Sequence, residues 1–266
     1  MRTRPTLVLH VFSANQPFRR KAEPSWVTIV QRQARERGIM AQHPKLTGIE
    51  QLSSGWVNKY ILTYEMPDGR MHSYECASRK KLEAFRAGLE ERGRISRAVL
   101  AESAASPTGC ETASTPSADA AGDLNQATPD AVCIVARTPR DTLVMIREFR
   151  YPLNSWCIAF PAGLVDPGED VVRCACREME EETGYTVSAD AQVRVLPQAG
   201  FSSTGFTDET VQIVFVEAEK ASEAHTEPNE LIEVFELPIA AIPEFLNTNP
   251  LPIGTRAQLV LESFIQ

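Results

Sequence analysis

The stretch "GLVDPGEDVVRCACREMEEETGY", from Gly163 to Tyr185, sets four glutamates within five consecutive residues, with a glycine turn at either end. On a helix, Glu178 lies one turn before Glu182 and three residues before Glu181, so these three carboxylates meet on one face. Such a cluster is costly by itself and suits a hard divalent cation, because magnesium takes oxygen ligands and bridges to substrate phosphates. The alternative is a solvated acidic helix face, which a bare "EMEEE" run would favour.

The helix that carries this cluster is predicted from Glu169 to Thr183, with Gly184 as its C-terminal stop. Glu180, in the middle of the acidic run, is expected to face solvent. An apolar stripe would hold the helix against a sheet, and its members are Val172, Ala175, Cys176 and Met179.

Apolar runs elsewhere predict strands at residues 131–137, 142–150, 156–164, 192–197, 210–217 and 230–238, and two short helices at the end of the chain. Strands of this kind around one strong central helix indicate a layered α/β (α+β) structure rather than a doubly wound sheet.

The spacing within the opening stretch matches G-x5-E-x7-R-E-U-x-E-E-x-G-U, where U is a bulky apolar residue, at every defined position. This pattern is the Nudix box. Seven fixed residue types, each at roughly one in fifteen by usage, make a chance match in the chain about one in a million. The matching residues are Gly163, Glu169, Arg177, Glu178, Met179, Glu181, Glu182, Gly184 and Tyr185.

The chain therefore resembles the Nudix hydrolases, which cleave a nucleoside diphosphate linked to another group. The resemblance implies an α/β/α sandwich in which the box forms a loop, a helix and a second loop. It also implies magnesium as the cofactor, with manganese as the alternative. Glu178 and Glu182 would be the main metal ligands, with Glu181 as a third and the carbonyl of Ala162 as a further ligand.

The same resemblance assigns supporting roles to other residues of the box. Arg177 and Glu169 look like the family's pair that orients the metal-binding glutamates. Gly163 would let the backbone approach the metals closely.

Outside the box, several segments resemble ADP-ribose pyrophosphatases, namely residues 147–169, 200–209, 230–238 and the hairpin at 56–79. The similarity covers roughly residues 50–245 apart from an insert. Two positions depart from the subfamily pattern. Ala159 stands where a glutamate is usual, and Thr204 stands where a proline is usual.

By this resemblance, Trp56 and Tyr74 would stack on the adenine, and Glu75 would accept a hydrogen bond from its amino group. Arg79 and Arg150 would contact phosphate or ribose oxygens. Taken singly, each aromatic residue is also consistent with an ordinary strand-face position and each arginine with a surface position.

The activity that the resemblance implies is magnesium-dependent hydrolysis of ADP-ribose to AMP and ribose 5-phosphate. Glu230 aligns best with the loop glutamate that some members use as a base, and Glu227 and Glu233 are the alternatives. Three other hypotheses are open. The enzyme could act on another nucleoside diphosphate derivative, the protein could be a non-catalytic module that binds ADP-ribose, or residues 80–130 could form an acidic scaffold for protein interactions. Non-catalytic modules usually lose box glutamates, whereas this chain keeps all of them.

The chain is expected to divide into an N-terminal extension (1–48), a β-hairpin and helix (49–100), a low-complexity disordered insert (101–130) and a Nudix domain (131–266). The hairpin is predicted around "MPDG", a turn sequence, and the insert lacks aromatic residues. In the resembling subfamily the hairpin crosses to a partner subunit, so a homodimer is implied.

Composition bears on partners and compartment. The net charge of −8 argues against a general nucleic-acid binder, and no apolar run approaches membrane-spanning length. Six cysteines without a C-x-x-C pair argue against a zinc site and favour a reducing compartment. The basic first 22 residues resemble a transit peptide, but Pro5 and Pro17 interrupt them. We therefore expect a cytoplasmic protein with an N-terminal extension.

Overall fold

The computed structural model describes residues 43–105, 128–187, 192–226 and 230–265. Within these ranges the chain forms two compact units, a larger one of residues 128–200 and 210–265 and a smaller one of residues 43–105 and 201–209. The N-terminal extension up to residue 42 lies outside the described residues. No helix in the described ranges is long and apolar enough to cross a membrane.

The smaller unit contains an antiparallel sheet of three strands in the order β1-β2-β3, followed by helix α1. The elements are β1 (Lys45–Gln51), β2 (Asn58–Glu65), β3 (Met71–Ser78) and α1 (Leu82–Ala105). The expected hairpin is formed by β2 and β3, and Gly69 adopts the positive φ of 82° that its tight turn requires. Strand β1 was not predicted, and the boundary drawn between residues 48 and 49 falls inside it.

Helix α1 also extends past residue 100, where the start of the insert was placed. It continues to Ala105, so the first five residues assigned to the disordered insert are helical. Residues 106–127, which make up most of the insert, lie outside the described residues.

The core of the smaller unit is formed where Tyr60 stacks on Phe85 of α1, with 4.3 Å between ring centroids.

The larger unit is built on a mixed sheet. Its elements in chain order are β4 (Ala131–Arg137), β5 (Thr142–Arg150), β6 (Ser155–Ala159), β7 (Ala162–Leu164), α2 (Val171–Glu178), β8 (Tyr185–Val187), β9 (Arg194–Val195), β11 (Thr210–Lys220), β12 (Ile232–Pro238), α3 (Ile242–Thr248) and α4 (Thr255–Glu262). The two-residue strand β10 (Gly200–Phe201) falls at the point in the chain where the division between the units is drawn. The central order is β11-β4-β5-β12, in which β11 is parallel to β4 and the other neighbours are antiparallel. Strand β6 pairs with β5, and β7 pairs with β4.

Strand alternation divides the core of the larger unit into two layers. Val132, Ile134 and Ala136 of β4 join a cluster with α2, whereas Cys133 and Val135 join a cluster with α3 and α4. Successive side chains of a strand point to opposite faces, so a continuous apolar strand buries both faces of the sheet. Helices thus cover the two sides, which confirms the expected α/β/α class.

Four of the six predicted strands have different limits in the structure. The strand predicted at 210–217 extends to Lys220, and the one predicted at 230–238 begins at Ile232. The run at 156–164 is split into β6 and β7 around Pro161, which has no N–H to donate to a ladder. The run at 192–197 keeps only the two residues of β9, while β4 and β5 have the predicted limits.

The helix of the box begins at Val171 rather than at Glu169. Asp170 caps it, because its carboxylate accepts hydrogen bonds from the backbone N–H groups of Val172 (2.9 Å) and Arg173 (3.3 Å). After Glu178 the backbone widens into a π-helical turn, Met179–Thr183, which ends at Gly184 as expected.

The apolar stripe of α2 is also shifted from the prediction. Cys174, Ala175 and Met179 are buried against the sheet, and Val171 packs beside them. Val172 and Cys176, which were predicted in the stripe, are each one residue further along the helix than Val171 and Ala175, so their side chains point in a different direction and lie outside this cluster. Counted from Val171, the buried residues follow after three, four and eight residues, and this spacing places them on one face of the helix.

We predict that Gly184→Ala destabilises the protein more than Gly168→Ala. Both glycines have a positive φ, 69° at Gly184 and 81° at Gly168, which costs a non-glycine residue about 1 kcal/mol. A Cβ at Gly184 would lie 2.2 Å from the carbonyl oxygen of Ser222, whereas one at Gly168 meets nothing within 4 Å. Denaturant unfolding should give a loss of about 1 kcal/mol for Gly168→Ala and at least about 2 kcal/mol for Gly184→Ala. Equal losses would contradict the close approach at Gly184.

Candidate active site

The carboxylate of Glu178 lies directly against the backbone of Gly163. Glu178 ends α2, and Gly163 is the middle residue of β7. A Cβ at Gly163 would be 1.9 Å from the carboxyl carbon of Glu178, a distance that no side chain tolerates. The first glycine of the box therefore provides the space that the first glutamate of the cluster occupies.

Arg177 connects three glutamates of the box. Its guanidinium binds Glu169 with two hydrogen bonds, from Nε to Oε1 (2.9 Å) and from Nη2 to Oε2 (2.8 Å). Its Nη1 donates to Glu178 Oε1 at 2.7 Å and to Glu181 Oε2 at 3.1 Å. Hydrogen bonding to Arg177 lowers the pKa of Glu169 from 4.5 to about 2, so Glu169 remains charged. The structure thus joins the two residues that the resemblance paired.

Glu182 is the most buried carboxylate of the cluster. It is 6% exposed, and its Oε2 accepts a hydrogen bond from the backbone N–H of Ala162 at 3.1 Å. Burial, the largest cause, together with the charges of Glu178, Glu148 and Glu230 raises its pKa to about 8, although the hydrogen bond from Ala162 opposes the shift. Burial likewise raises the pKa of Glu178, although Arg177 opposes that shift. Glu180, by contrast, is exposed as expected.

Glu148 is a site residue that the sequence did not single out. It lies on β5, an interior strand, opposite Cys157 of β6 and Ile232 of β12. Its side chain is 15% exposed and forms an ion pair with Arg150, with 2.7 Å between Oε2 and Nη2. The sequence feature that could have identified Glu148 is an acidic residue in a predicted strand that contains the apolar run "LVMI".

The residues present fit a hard divalent cation in donor chemistry. Carboxylate oxygens are the ligands that magnesium and manganese prefer, and the space at Gly163 admits one of them close to the backbone. Glu182 is buried without an ion-pair partner among the described residues, so a cation would offset its charge. Among the described residues, there is no group of three or more Asp, Glu, His or Cys side chains arranged so that it could hold a metal ion. Instead, Arg177 engages Glu178 and Glu181, and the amide of Ala162 engages Glu182.

The three candidate bases differ in their surroundings. Glu230, just before β12, is exposed, and its charge contributes to the raised pKa of both Glu178 and Glu182. Glu233 forms an ion pair with Arg147, 2.5 Å between Oε2 and Nη2. Glu227 lies outside the described residues. Of the two described candidates, Glu230 has the direct electrostatic link to the cluster.

Four of the predicted substrate-binding residues belong to the smaller unit. Trp56 is 72% exposed, and the guanidinium carbon of Arg79 lies 5.5 Å from its ring centroid. Arg79 also forms an ion pair with Glu209 at 2.9 Å, and Glu75 forms one with Lys59 at 2.7 Å. The structure therefore brings Trp56 and Arg79 together.

Tyr74 lies in a different environment from its neighbour Glu75. Consecutive residues of a strand project to opposite faces, so the structure does not bring these two side chains to one surface. The hydroxyl of Tyr74 donates to the carbonyl oxygen of Gly205 at 2.7 Å. Tyr74 lines a cavity of about 500 Å³, to which Trp56 does not contribute, and whose other aromatic walls are Tyr64, Phe85, Phe201 and Phe206.

We predict that Glu169→Gln destabilises the protein in a pH-dependent manner. The folded-state pKa of Glu169 lies below its ordinary value of 4.5, so its contribution is present above pH 4.5 and is lost as the pH falls towards 2. Loss of a charge-assisted bidentate pair should lower the free energy of unfolding by about 2 kcal/mol at pH 7. Denaturant unfolding of both proteins across pH 2 to 7 measures this difference, with Glu180→Gln as the exposed control. A difference that does not shrink at low pH would contradict the assignment.

Comparison with known proteins agrees with this site. A model of the NUDIX domain matches residues 127–255. An ADP-ribose pyrophosphatase of Bacillus subtilis is 35% identical over 111 residues, which cover 41% of this chain and 58% of the relative. An ADP-sugar pyrophosphatase of Mus musculus is 31% identical over 119 residues, which cover 41% of this chain and 53% of the relative. The chain thus spans little more than half the length of these curated relatives.

The fold has a counterpart among solved structures. A crystal structure of an ADP compounds hydrolase aligns with a TM-score of 0.52 over 78% of this chain and 85% of that chain, at 20% identity. At that identity the likeness concerns the fold alone. The matched range of the NUDIX model includes every residue of the box and the sheet beneath it. Residues 127–255 of the chain, just under half of its length, therefore match the NUDIX domain.

Proposed function

We propose that the protein hydrolyses the diphosphate bond of ADP-ribose, or of a related ADP-sugar, and releases AMP. From ADP-ribose the second product is ribose 5-phosphate. The observation that carries this proposal is the pair formed by the partly buried Glu178 and the buried Glu182, held at the backbone of Gly163 and Ala162. The names of the relatives from Bacillus subtilis and mouse support the choice of substrate class.

The cofactor in this proposal is Mg²⁺, with Mn²⁺ as the alternative, held by Glu178, Glu182, Glu181 and the carbonyl of Ala162. When bound, such a cation neutralises the diphosphate and makes water a better nucleophile. The protein contributes the fixed positions of its ligands. The amide of Ala162 holds one oxygen of Glu182, and Arg177 holds one oxygen of Glu178, so each carboxylate keeps a second oxygen for the cation.

Arg177 acts as a positioning residue rather than as a ligand. Because Glu169 fixes its guanidinium through two hydrogen bonds, Arg177 presents a constant donor to Glu178 and Glu181. Glu230 is proposed as the base that accepts a proton from the attacking water. Its exposed position before β12 leaves it accessible to solvent.

The substrate-binding residues proposed are those that the sequence resemblance implies. Arg150 and Arg79 would contact phosphate or ribose oxygens. Trp56 and Tyr74 would contact the adenine, and Glu75 would bind its amino group. A homodimer formed through the smaller unit, which the sequence resemblance implies, and a cytoplasmic location, which the cysteine content favours, complete the proposal.

A second candidate is hydrolysis of another nucleoside diphosphate derivative, such as a different nucleotide sugar or an oxidised nucleotide. The separation of Tyr74 from Glu75 on opposite faces of β3 favours this candidate, since the adenine contacts would then be incomplete. A non-catalytic binding module is disfavoured, because every glutamate of the box is present.

We predict that Glu178→Gln and Glu182→Gln each lower kcat for ADP-ribose by about 100-fold or more. Loss of a cation ligand removes several kcal/mol of charge stabilisation, and each 1.4 kcal/mol corresponds to a factor of ten. The matched control is Glu180→Gln, an exposed glutamate of the same turn, which should retain nearly full activity. AMP release with and without Mg²⁺, across a panel of nucleoside diphosphate derivatives, measures the effect. Equal losses in all three variants would refute the assignment of the cluster.

We predict that Trp56→Ala and Tyr74→Ala raise the KM for ADP-ribose by about 5- to 100-fold, because base stacking on an aromatic ring is worth about 1–3 kcal/mol. The control is Met71→Ala, since Met71 is an exposed apolar residue of β3. Initial-rate kinetics with ADP-ribose provide the measurement. An unchanged KM in both aromatic variants would favour the second candidate substrate class.

A further inference from the structure

Glu148 lies on the face of the sheet that α2 covers. Val144, four residues earlier on β5, packs in the cluster that contains Cys174 and Ala175 of α2. Side chains of a strand repeat their direction every two residues, so Glu148 projects to the same side as Val144. This is the side from which α2 and its π-helical turn present Glu178 and Glu182.

The neighbouring strands place Glu148 beside two other positions of interest. In the pairing of β5 with β6, Ile146 is opposite Ala159 and Glu148 is opposite Cys157, so Ala159 is the diagonal neighbour of Glu148 on the same face. On the other side, Ile232 of β12 is opposite Glu148, and the backbone N–H of Phe149 donates to the carbonyl oxygen of Leu231 at 3.0 Å. Glu230 therefore precedes the partner of Glu148 by two residues, just before β12 begins.

The charge distribution agrees with this placement. The charge of Glu148 contributes to the raised pKa of Glu182. Burial is the main cause of the raised pKa of Glu148, and the charge of Glu230 adds to it, whereas Arg150 opposes it. Glu148 is 15% exposed on an interior strand, and Arg150 offsets part of the cost of burying its charge.

We propose that Glu148 is a further cation-binding residue of this site, and that Arg150 orients its carboxylate towards Glu182. The proposal rests on the proposed function, because the cation is the one that the hydrolysis uses. Glu148 thus adds a ligand from the sheet to the ligands that the box provides from the helix. Arg150 then has two roles, since it contacts the substrate and positions Glu148.

The test is direct binding of Mn²⁺ to the full-length protein without substrate, measured by electron paramagnetic resonance of the free ion. Glu148→Gln should weaken binding by about 10-fold or more, in the range typical for loss of a group that tunes a metal site. The matched control is Glu217→Gln, which removes one negative charge from an exposed position of β11 and should leave Mn²⁺ affinity unchanged. Circular dichroism would verify that both variants are folded.

A rescue variant separates cation binding from a structural role. In Glu148→Gln combined with Ala159→Glu, the diagonal neighbour returns a carboxylate to the same face, and Mn²⁺ affinity should recover in part. Arg150→Gln should mainly raise the KM for ADP-ribose and weaken Mn²⁺ binding less than Glu148→Gln does. Wild-type Mn²⁺ affinity in Glu148→Gln, with a raised KM equal to that of Arg150→Gln, would overturn the proposal and leave Glu148 as a partner of Arg150 only.

The two proposals fail in distinguishable ways. If the wild-type protein releases no AMP from any substrate yet binds Mn²⁺ in a Glu148-dependent manner, the role of Glu148 stands and the hydrolase proposal fails. If the wild-type protein is active but its Mn²⁺ binding is independent of Glu148, the reverse holds. Absence of Mn²⁺ binding to the wild-type protein would overturn the role of Glu148.

Discussion

The burial of Glu182 is the constraint on which the rest of the site depends. A charged carboxylate in a low-dielectric environment costs several kcal/mol unless a counter-charge or hydrogen bonds offset it. The amide of Ala162 offers one hydrogen bond, and nearby carboxylates make the charged form still less favourable. The group must therefore take up a proton or a cation. The pKa of Glu182, raised to about 8, corresponds to uptake of a proton, and the alternative is binding of a divalent cation.

The position of Arg177 explains why one carboxylate of the acidic cluster has no cationic side chain beside it among the described residues. An arginine close to several glutamates would ordinarily neutralise all of them. Here the bidentate pair with Glu169 fixes the guanidinium, and Glu169 is itself held by a hydrogen bond from the backbone N–H of Asp166 at 3.1 Å. The guanidinium reaches Glu178 and Glu181 but forms no ion pair with Glu182 among the described residues. The most buried carboxylate thus keeps its need for a cation.

The sequence predicted well those elements that depend on the spacing or hydrophobicity of residues close together in the chain. The spacing of the box identified the residues that lie together around Arg177, and continuous apolar runs located β4 and β5. The start of α2 was misplaced because Asp170, rather than Glu169, provides the N-cap. The π-helical turn was not predicted, because a change from four- to five-residue hydrogen bonding leaves no mark in residue types. Strand β1 was missed because Leu46 and Ile49, the large apolar residues of "KLTGIEQ", are three residues apart rather than two, and the strand's register shifts between Leu46 and Gly48.

The remaining misses concern which strand residues share a face, a property that depends on register. Resemblance grouped Tyr74 with Glu75 as contacts of one base, but adjacent positions of β3 project to opposite sides. Register also changes the meaning of the departure at Ala159. Considered alone, an alanine in place of the usual glutamate implies a lost contact. The pairing of β5 with β6 places Glu148 diagonally beside that alanine on the same face, so a carboxylate is still present there. A substitution at one strand position is therefore best judged together with its cross-strand neighbours, because the sheet can supply the same group from either of them.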